Sequence, residues 1–212
     1  MSSVIVSSRF EILLEADFRL PSPGDRALNS APDTSSGAEI AQHPFDRTVL
    51  MTKGYKEAAD VLVARVLADQ GGTTSDGRSS YLLVYPILFC YRHFLELSLK
   101  YVISKYGHLA GVLPNANDHD LNQLWQKFRQ VLESFGDSDD TALTAVEDVV
   151  AEFAKIDPGS FTFRYPKSRR GDAIVINKES IDLANLCTTM NRVSNYFDGT
   201  DGYLDDLSTA GP

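Results

Sequence analysis

The feature that most constrains the fold is a helical run in which polar side chains interrupt the most apolar part of the chain. Residues 81–91 read YLLVYPILFCY, and the run continues as FCYRHFLELSLKYVI over residues 89–103. Four ionisable side chains interrupt it: Arg92, His93, Glu96 and Lys100. Because an α-helix turns by about 100° per residue, all four fall within about a quarter of its circumference. The sequence therefore predicts a core helix with one narrow polar stripe.

This stripe has two interpretations. In the first, it is the solvated face of a half-buried helix, and Arg92–Glu96 and Glu96–Lys100 are ordinary pairs worth about 0.2–0.5 kcal/mol each. In the second, it lines a cleft or a subunit interface, where Glu96 holds the cations while Arg92 and His93 face a ligand. A partly buried ion network is costly to desolvate and tends to mark function or specificity. The apolar first half of the helix favours the second interpretation.

The remaining periodicity predicts an all-α fold. Apolar residues at spacings of three and four predict helices over about 46–69, 80–105, 121–135, 143–156 and 178–196. Asp118 or Asp120 can cap the third of these. An antiparallel helical bundle is the simplest way to bury five such apolar faces. We therefore expect a bundle of about five helices.

A small β-hairpin-like insertion is predicted between the last two helices. The β-like pieces SFTFRY and AIVI are joined by PKSRRGD, which places basic residues near a tip. The residues concerned are Arg164, Tyr165, Lys167, Arg169 and Arg170. Arginine and tyrosine together suit phosphate clamping and base stacking. The alternative is a solvated tip without a ligand.

Outside the bundle, three segments have a different composition. Residues 1–20 alternate apolar and polar side chains and predict a strand or a short amphipathic segment. Residues 21–45 are rich in Pro, Ser, Gly and Ala and predict a flexible linker. Residues 199–212 predict an acidic flexible tail, which leaves 46–198 for the bundle.

Composition excludes several functions. The formal charge of −9 argues against binding nucleic acid through a broad basic surface, although it allows a local basic site. No apolar run is long enough to span a bilayer, and the acidic N-terminus is a poor signal peptide, so a cytoplasmic protein is expected. Cys90 and Cys187 are then expected to stay reduced. No metal-ligand spacing and no cofactor-binding motif is found, so neither a metal nor a cofactor is expected.

The start of the third helix adds two candidate residues. The stretch HDLNQLW places His119 and Asp120 where the free backbone N–H groups of a helix N-terminus can bind anions. The alternative for His119 is a helix-cap or surface histidine. We expect the cations of the second helix and of the predicted hairpin to converge in one shared recess with His119.

The order YRHFLELSLKYVI, then HDLNQLW, then FRYP resembles bacterial proteins of the HEPN superfamily, over about residues 46–197. This resemblance implies a helical bundle, often a homodimer, from a toxin–antitoxin or antiphage system whose protein partner is encoded nearby. Many members are metal-independent endoribonucleases in which an Arg is followed by a His after four to six residues. In such a site His moves protons at the 2′-hydroxyl and the leaving oxygen, while Arg stabilises the charge of the phosphorane.

The chain departs from that signature, because no Arg is followed by a His at the required spacing. Arg192 lies in a suitable helix, but Phe197 stands where a His would be needed. A nuclease would therefore have to use a non-standard set such as Arg92, His93 and His119. Whether the protein is an enzyme stays open at this point.

Three functions follow from these residues. The first is a nucleotide-, RNA- or partner-binding module without standard catalysis; the second is an RNase with a variant site; the third is a dimerisation or interaction protein. The ligand-binding candidates are Arg92, His93, Glu96, Lys100, His119, Asp120, Arg164, Tyr165, Lys167, Arg169 and Arg170.

Overall fold

The structure, a computed structural model, describes residues 22–30, 37–70, 78–115, 117–136, 141–168 and 170–209. The chain divides into two compact units, Met1–Ile40 and Ala41–Pro212. The strand-like segment predicted for residues 1–20 lies outside the described residues, and so does the predicted ligand residue Arg169.

In the first unit, the described residues are exposed and contain neither helix nor strand. A tight turn links Ser22 to Asp25: the Ser22 N–H donates to Asp25 Oδ2 at 2.7 Å, and the Asp25 N–H donates to Ser22 O at 3.0 Å. Gly24 has φ +102°, a left-handed conformation that glycine adopts without steric cost. This part of the predicted linker is therefore irregular.

The second unit is helical, which confirms the all-α class and the helical bundle. Its described part contains five α-helices: α1 Pro44–Gln70, α2 Arg78–Tyr106, α3 Leu121–Ser134, α4 Thr141–Ile156 and α5 Leu183–Thr209. A 3-10 turn, Gly107–Ala110, follows α2 directly. Pro86 lies inside α2 and does not end it. Asp120 caps α3, because its side chain accepts hydrogen bonds from the N–H groups of Asn122 and Gln123.

α2 forms the centre of the bundle and packs against α1, α3 and α5. Its residues Ile87, Leu95 and Leu99 are completely buried. Aromatic rings link α2 to α3 through α5, since Phe197 lies 6.3 Å from the ring of Phe94 and 5.7 Å from that of Phe128. The polar stripe of α2 is therefore carried by the most enclosed helix of the bundle.

The predicted β-hairpin-like insertion is not supported. Between α4 and α5, the described residues contain only an isolated antiparallel bridge, Lys167 to Ala173. The backbone N–H groups of Arg164 and Tyr165 donate to Phe161 O at 3.1 and 3.2 Å, so they close a local turn instead of a ladder with a second strand.

The last helix begins and ends later than predicted. It starts at Leu183, where Asp182 Oδ1 accepts the N–H of Asn185 at 2.9 Å, and it continues to Thr209. Residues 199–209, predicted as an acidic flexible tail, are therefore helical. The physical reason is tertiary: Leu204 is completely buried, and Asp201 accepts a hydrogen bond from Tyr106 Oη at 2.7 Å.

The region Ser79–Ala110 is long and apolar enough to cross a membrane by length and composition alone. Half of its most apolar window is buried inside the bundle, and a buried core helix can pass the same test of length and composition. This is weak support for a membrane span.

Candidate functional site

Arg92 lies at the centre of a buried ion network. Its guanidinium pairs with Glu96 on the same helix, and Nη2 donates to the backbone oxygen of His119 at 2.6 Å. Nε donates to the backbone oxygen of Asp157 at 3.3 Å and lies 3.4 Å from Asp157 Oδ2. Arg92 thus joins α2 to the segment before α3 and to the end of α4. We call Arg92, Glu96, Lys100, His119 and Asp157 the Arg92 network.

Glu96 completes this network on the side of Lys100. Its Oε1 lies 2.8 Å from Lys100 Nζ and 2.8 Å from His119 Nδ1. Burial alone would raise the pKa of Glu96, but the hydrogen bonds from Lys100 and His119 outweigh burial and lower it. Arg92 and Glu96 are both fully buried, so the interpretation of the stripe as a solvated face is wrong for these two residues.

Asp157 connects the Arg92 network to the segment that follows α4. Its Oδ1 accepts the N–H groups of Phe161 at 2.6 Å and of Thr162 at 3.0 Å, while Oδ2 faces Arg92 and has no hydrogen-bond partner among the residues that the structure describes. The chain then passes through Ser160, which is buried at φ +57°, and Ser160 O accepts a hydrogen bond from Arg164 Nη2. The network therefore holds the turn that carries Arg164.

His93 lies beside the network but is not bonded to it. Its ring stacks on Phe89 with centroids 5.6 Å apart and meets Tyr55 edge-on at 4.4 Å. Nδ1 is buried and has no hydrogen-bond partner in the described part of the chain. Burial is the main cause that lowers the pKa of His93; Arg92, Lys100 and Arg164 lower it further, and Glu96 opposes them. His93 therefore lies within an aromatic cluster, and its surroundings favour the neutral form of its ring.

Arg164 lines an open groove between the first half of α2 and the segment that precedes α5. The residue is exposed, and its guanidinium lies 5.7 Å from the ring centre of Phe89 and 5.6 Å from that of Tyr165. The groove has a volume of about 710 Å³. Its aromatic and charged lining residues are Tyr81, Tyr85, Phe163, Arg164, Tyr165, Lys178 and Glu179. We call it the Arg164 groove.

The remaining cations lie elsewhere. Lys100 lines a second groove of about 630 Å³ together with Lys105 and Lys127, and neither Arg164 nor His93 lines that groove. The expected single recess is therefore not found in the described part of the chain: Lys100 and Arg164 line different grooves, and Arg92 lines neither of them. Lys167 and Arg170 are exposed, but neither lines the Arg164 groove.

The start of α3 does not offer free N–H groups in the way expected. Asp120 Oδ1 accepts from the N–H of Asn122 at 2.9 Å and from that of Gln123 at 3.4 Å, so the side chain of Asp120 occupies the place of an anion. His119 is exposed at its ring, while its backbone oxygen and Nδ1 belong to the Arg92 network.

Sequence reasoning missed Asp157, Tyr81, Tyr85 and Lys178. Tyr81 and Tyr85 were counted with the apolar core, yet helix geometry places each within about 20° of Arg92 around the axis of α2. Extending the stripe towards the N-terminus would therefore have found both tyrosines. No comparable signal marks Asp157, which stands 65 residues from Arg92 in the chain.

The described ranges contain no group of three or more His, Cys, Asp or Glu side chains that could hold a metal ion. Cys90 and Cys187 are both free thiols, and burial raises the pKa of Cys90. These observations assign no metal or thiol chemistry to either groove.

Comparisons with protein-family models, with curated proteins and with solved structures gave no match to this chain.

Proposed function

We propose that this chain is a HEPN-like helical-bundle module that binds RNA or a nucleotide in the Arg164 groove and lacks the standard catalysis of that superfamily. Its setting would be the cytoplasm, as a component of a bacterial toxin–antitoxin or antiphage system. The resemblance of YRHFLELSLKYVI and HDLNQLW to HEPN proteins supports the superfamily, and the helical bundle is compatible with it.

The observation that carries the proposal is an exposed arginine beside tyrosine rings in one groove. Arg164 and Lys178 can bind phosphate oxygens, since a guanidinium offers a planar fork of donors and an ammonium offers a point charge. The tyrosines can stack on bases. The net charge of −9 argues against binding through a broad basic surface, so a local basic site of this kind is the form of RNA binding that the composition favours.

The surroundings of the catalytic candidates support the absence of standard catalysis. The Arg92 guanidinium is surrounded by Glu96, Asp157 and the backbone oxygen of His119, so it is not directed at a phosphate. His93 is enclosed by Phe89 and Tyr55, and its low pKa disfavours the protonated form that a general acid needs. His119 is the one candidate of the three whose side chain is exposed.

The direct test is fluorescence anisotropy with the full chain and a 5′-fluorescein-labelled ten-nucleotide RNA. We expect Arg164→Gln to weaken binding about tenfold, because one charge-assisted phosphate contact is lost. Arg192→Gln is the matched control, since Arg192 is an exposed arginine on α5 that does not line the groove. Its affinity should stay within about twofold of the wild type. Absence of any RNA or nucleotide binding by the wild type would refute the proposal.

The alternative of a variant metal-independent RNase is tested with the same RNA on a denaturing gel, in the presence of a chelator. Our proposal expects an intact substrate. Cleavage that is lost in His119→Ala, but kept in the control His108→Ala, would instead establish the variant site.

A second candidate function, homodimerisation, is favoured by the outer face of α1. Leu50 and Val61 are large exposed apolar residues, and eleven positions bring them within about 20° of each other around the helix. Sedimentation velocity tests it: Val61→Lys should dissociate such a dimer, whereas Val175→Lys, an equally drastic change in the segment before α5, should not. A monomeric wild type would exclude homodimerisation. The exposed apolar face of α1 would then be assigned to a separately encoded protein partner.

A further inference from the structure

We infer that Tyr81 and Tyr85 form the stacking platform of the Arg164 groove and that its ligand is a short unpaired stretch of RNA, bound by two consecutive bases. This inference rests on the proposed function, because it names the class of RNA that the same groove selects.

The three tyrosines of the groove differ in what covers their rings. Tyr81 is 81% exposed and Tyr85 is 50% exposed, and neither makes a ring contact with another described residue. Tyr165 is 48% exposed, but its ring stacks on Phe161 at 4.4 Å and lies 5.6 Å from the Arg164 guanidinium. Tyr81 and Tyr85 therefore have π-faces to offer, whereas the ring of Tyr165 is already engaged.

The separation of the two free rings selects an unpaired strand. Tyr81 and Tyr85 are four residues apart on α2, so they stand one turn apart on one face with a rise of about 6 Å. Consecutive nucleotides of one strand in a DNA duplex are about 3.4 Å apart along the axis, well below the rise between the two rings. Two neighbouring bases can reach both rings only when the strand is extended and its bases are unstacked from each other. A duplex cannot meet this condition without being opened.

The charges of the groove limit the number of phosphate contacts to about two. Its lining holds two cations, Arg164 and Lys178, and one carboxylate, Glu179. Two neutralised phosphates predict a slope of about −1.4 for log K against log salt with a single strand. The hydrogen bond to Ser160 O and the contact with the Phe89 ring hold the Arg164 guanidinium in position. It can therefore bind one phosphate at a defined place beside the tyrosines.

The test compares labelled probes on the full-length chain by anisotropy. The probes are a ten-nucleotide oligoadenylate, the same strand annealed to its complement, and an abasic strand of equal length. We expect the single strand to bind at least tenfold tighter than either other probe. Tyr85→Leu and Tyr81→Leu should each weaken single-strand binding about tenfold, because each removes one stacked base. Tyr85→Phe, which keeps the ring, should retain the wild-type affinity.

A control variant and the salt dependence separate stacking from general damage. Tyr203→Leu removes an exposed ring on α5 that does not line the groove, and it should change affinity by less than about threefold. The salt slope should be unchanged in Tyr85→Leu and should shrink by about 0.7 in Arg164→Gln.

Equal binding of single strand and duplex, or unchanged affinity in both Tyr81→Leu and Tyr85→Leu, would overturn this inference while leaving RNA binding intact. If the wild type binds none of the probes and no nucleotide, the proposed function fails and the inference fails with it.

Discussion

One side of α2 is buried at Arg92 but lines an open groove at Tyr85. At Arg92 this side is covered by Asp157 and by the backbone of His119, and the guanidinium is completely buried. About two turns earlier, at Tyr85, it forms a wall of the Arg164 groove. One side of a helix can therefore stabilise the fold where a loop covers it and form a binding surface where no loop covers it.

The division predicts that stability and binding are separable, with the Arg92 network governing the first and the Arg164 groove the second. The largest effect is expected for Arg92→Met. It removes the cation between two buried carboxylates, and an uncompensated buried charge costs about 3–5 kcal/mol in free energy of unfolding. Urea unfolding followed by circular dichroism measures it, with the exposed Arg192→Met as control. A loss below about 1 kcal/mol would show that the network is not a structural centre.

Asp157→Ala should have the next largest effect and should connect the two regions. It leaves the N–H groups of Phe161 and Thr162 without their acceptor, which costs about 1–3 kcal/mol of unfolding free energy. Because the same turn carries Arg164, affinity for single-stranded RNA should also fall. The control Asp172→Ala alters an exposed aspartate of the same segment and should change neither quantity appreciably. Normal binding by Asp157→Ala would mean that the turn is held by other contacts.

His93→Phe should make stability less dependent on pH. The folded pKa of His93 lies below its ordinary value of 6.5, so the unfolded chain binds more protons at this residue and stability is lost as the pH falls below about 6.5. Phenylalanine keeps the aromatic contacts with Phe89 and Tyr55 and cannot titrate. Unfolding free energies at pH 7.5 and 5.5 should therefore differ less in His93→Phe than in the wild type. The same pH dependence in the wild type and in His93→Phe would show that protonating His93 does not lower the free energy of unfolding.

Arg164→Gln should have the smallest effect on stability. The residue is exposed, but the substitution removes its hydrogen bond to Ser160 O and its contact with the Phe89 ring, so we expect the free energy of unfolding to fall by about 1 kcal/mol. This variant is also the one with a predicted tenfold loss of RNA affinity, which makes it the reverse of Arg92→Met. A large loss of stability in Arg164→Gln would show that the Arg164 groove and the Arg92 network do not have separate roles in binding and stability.

Local patterns predicted much of the fold. α2 and α3 lie close to their expected bounds, because apolar spacing and the Asp120 cap are local properties of the sequence. The end of α5 was missed because Gly199, Gly202 and several acidic residues weaken any helix signal there. Those residues are helical since Leu204 and Asp201 contact other parts of the bundle, and sequence spacing does not report such contacts.

In the candidate site, too, the local contacts could be predicted and the long-range contacts could not. The i,i+4 pairs of Glu96 with Arg92 and Lys100 follow from helix geometry and are confirmed. The Arg92 end of the stripe is covered because Asp157 packs against it, and the packing of α4 brings Asp157 to that position. A single sequence carries no local signal for that packing, so the enclosed and the open parts of the stripe could not be told apart.

The central claim is that ligand binding belongs to the Arg164 groove and not to the stripe around Lys100 and His119. The most direct measurement is a two-dimensional NMR titration of the ¹⁵N-labelled full chain with an unlabelled ten-nucleotide oligoadenylate. We expect shifted amide signals at Tyr81, Tyr85, Arg164 and Lys178, and unchanged signals at Lys100 and His119. Shifts centred on Lys100 and His119, or no shifts at saturating RNA, would contradict the central claim.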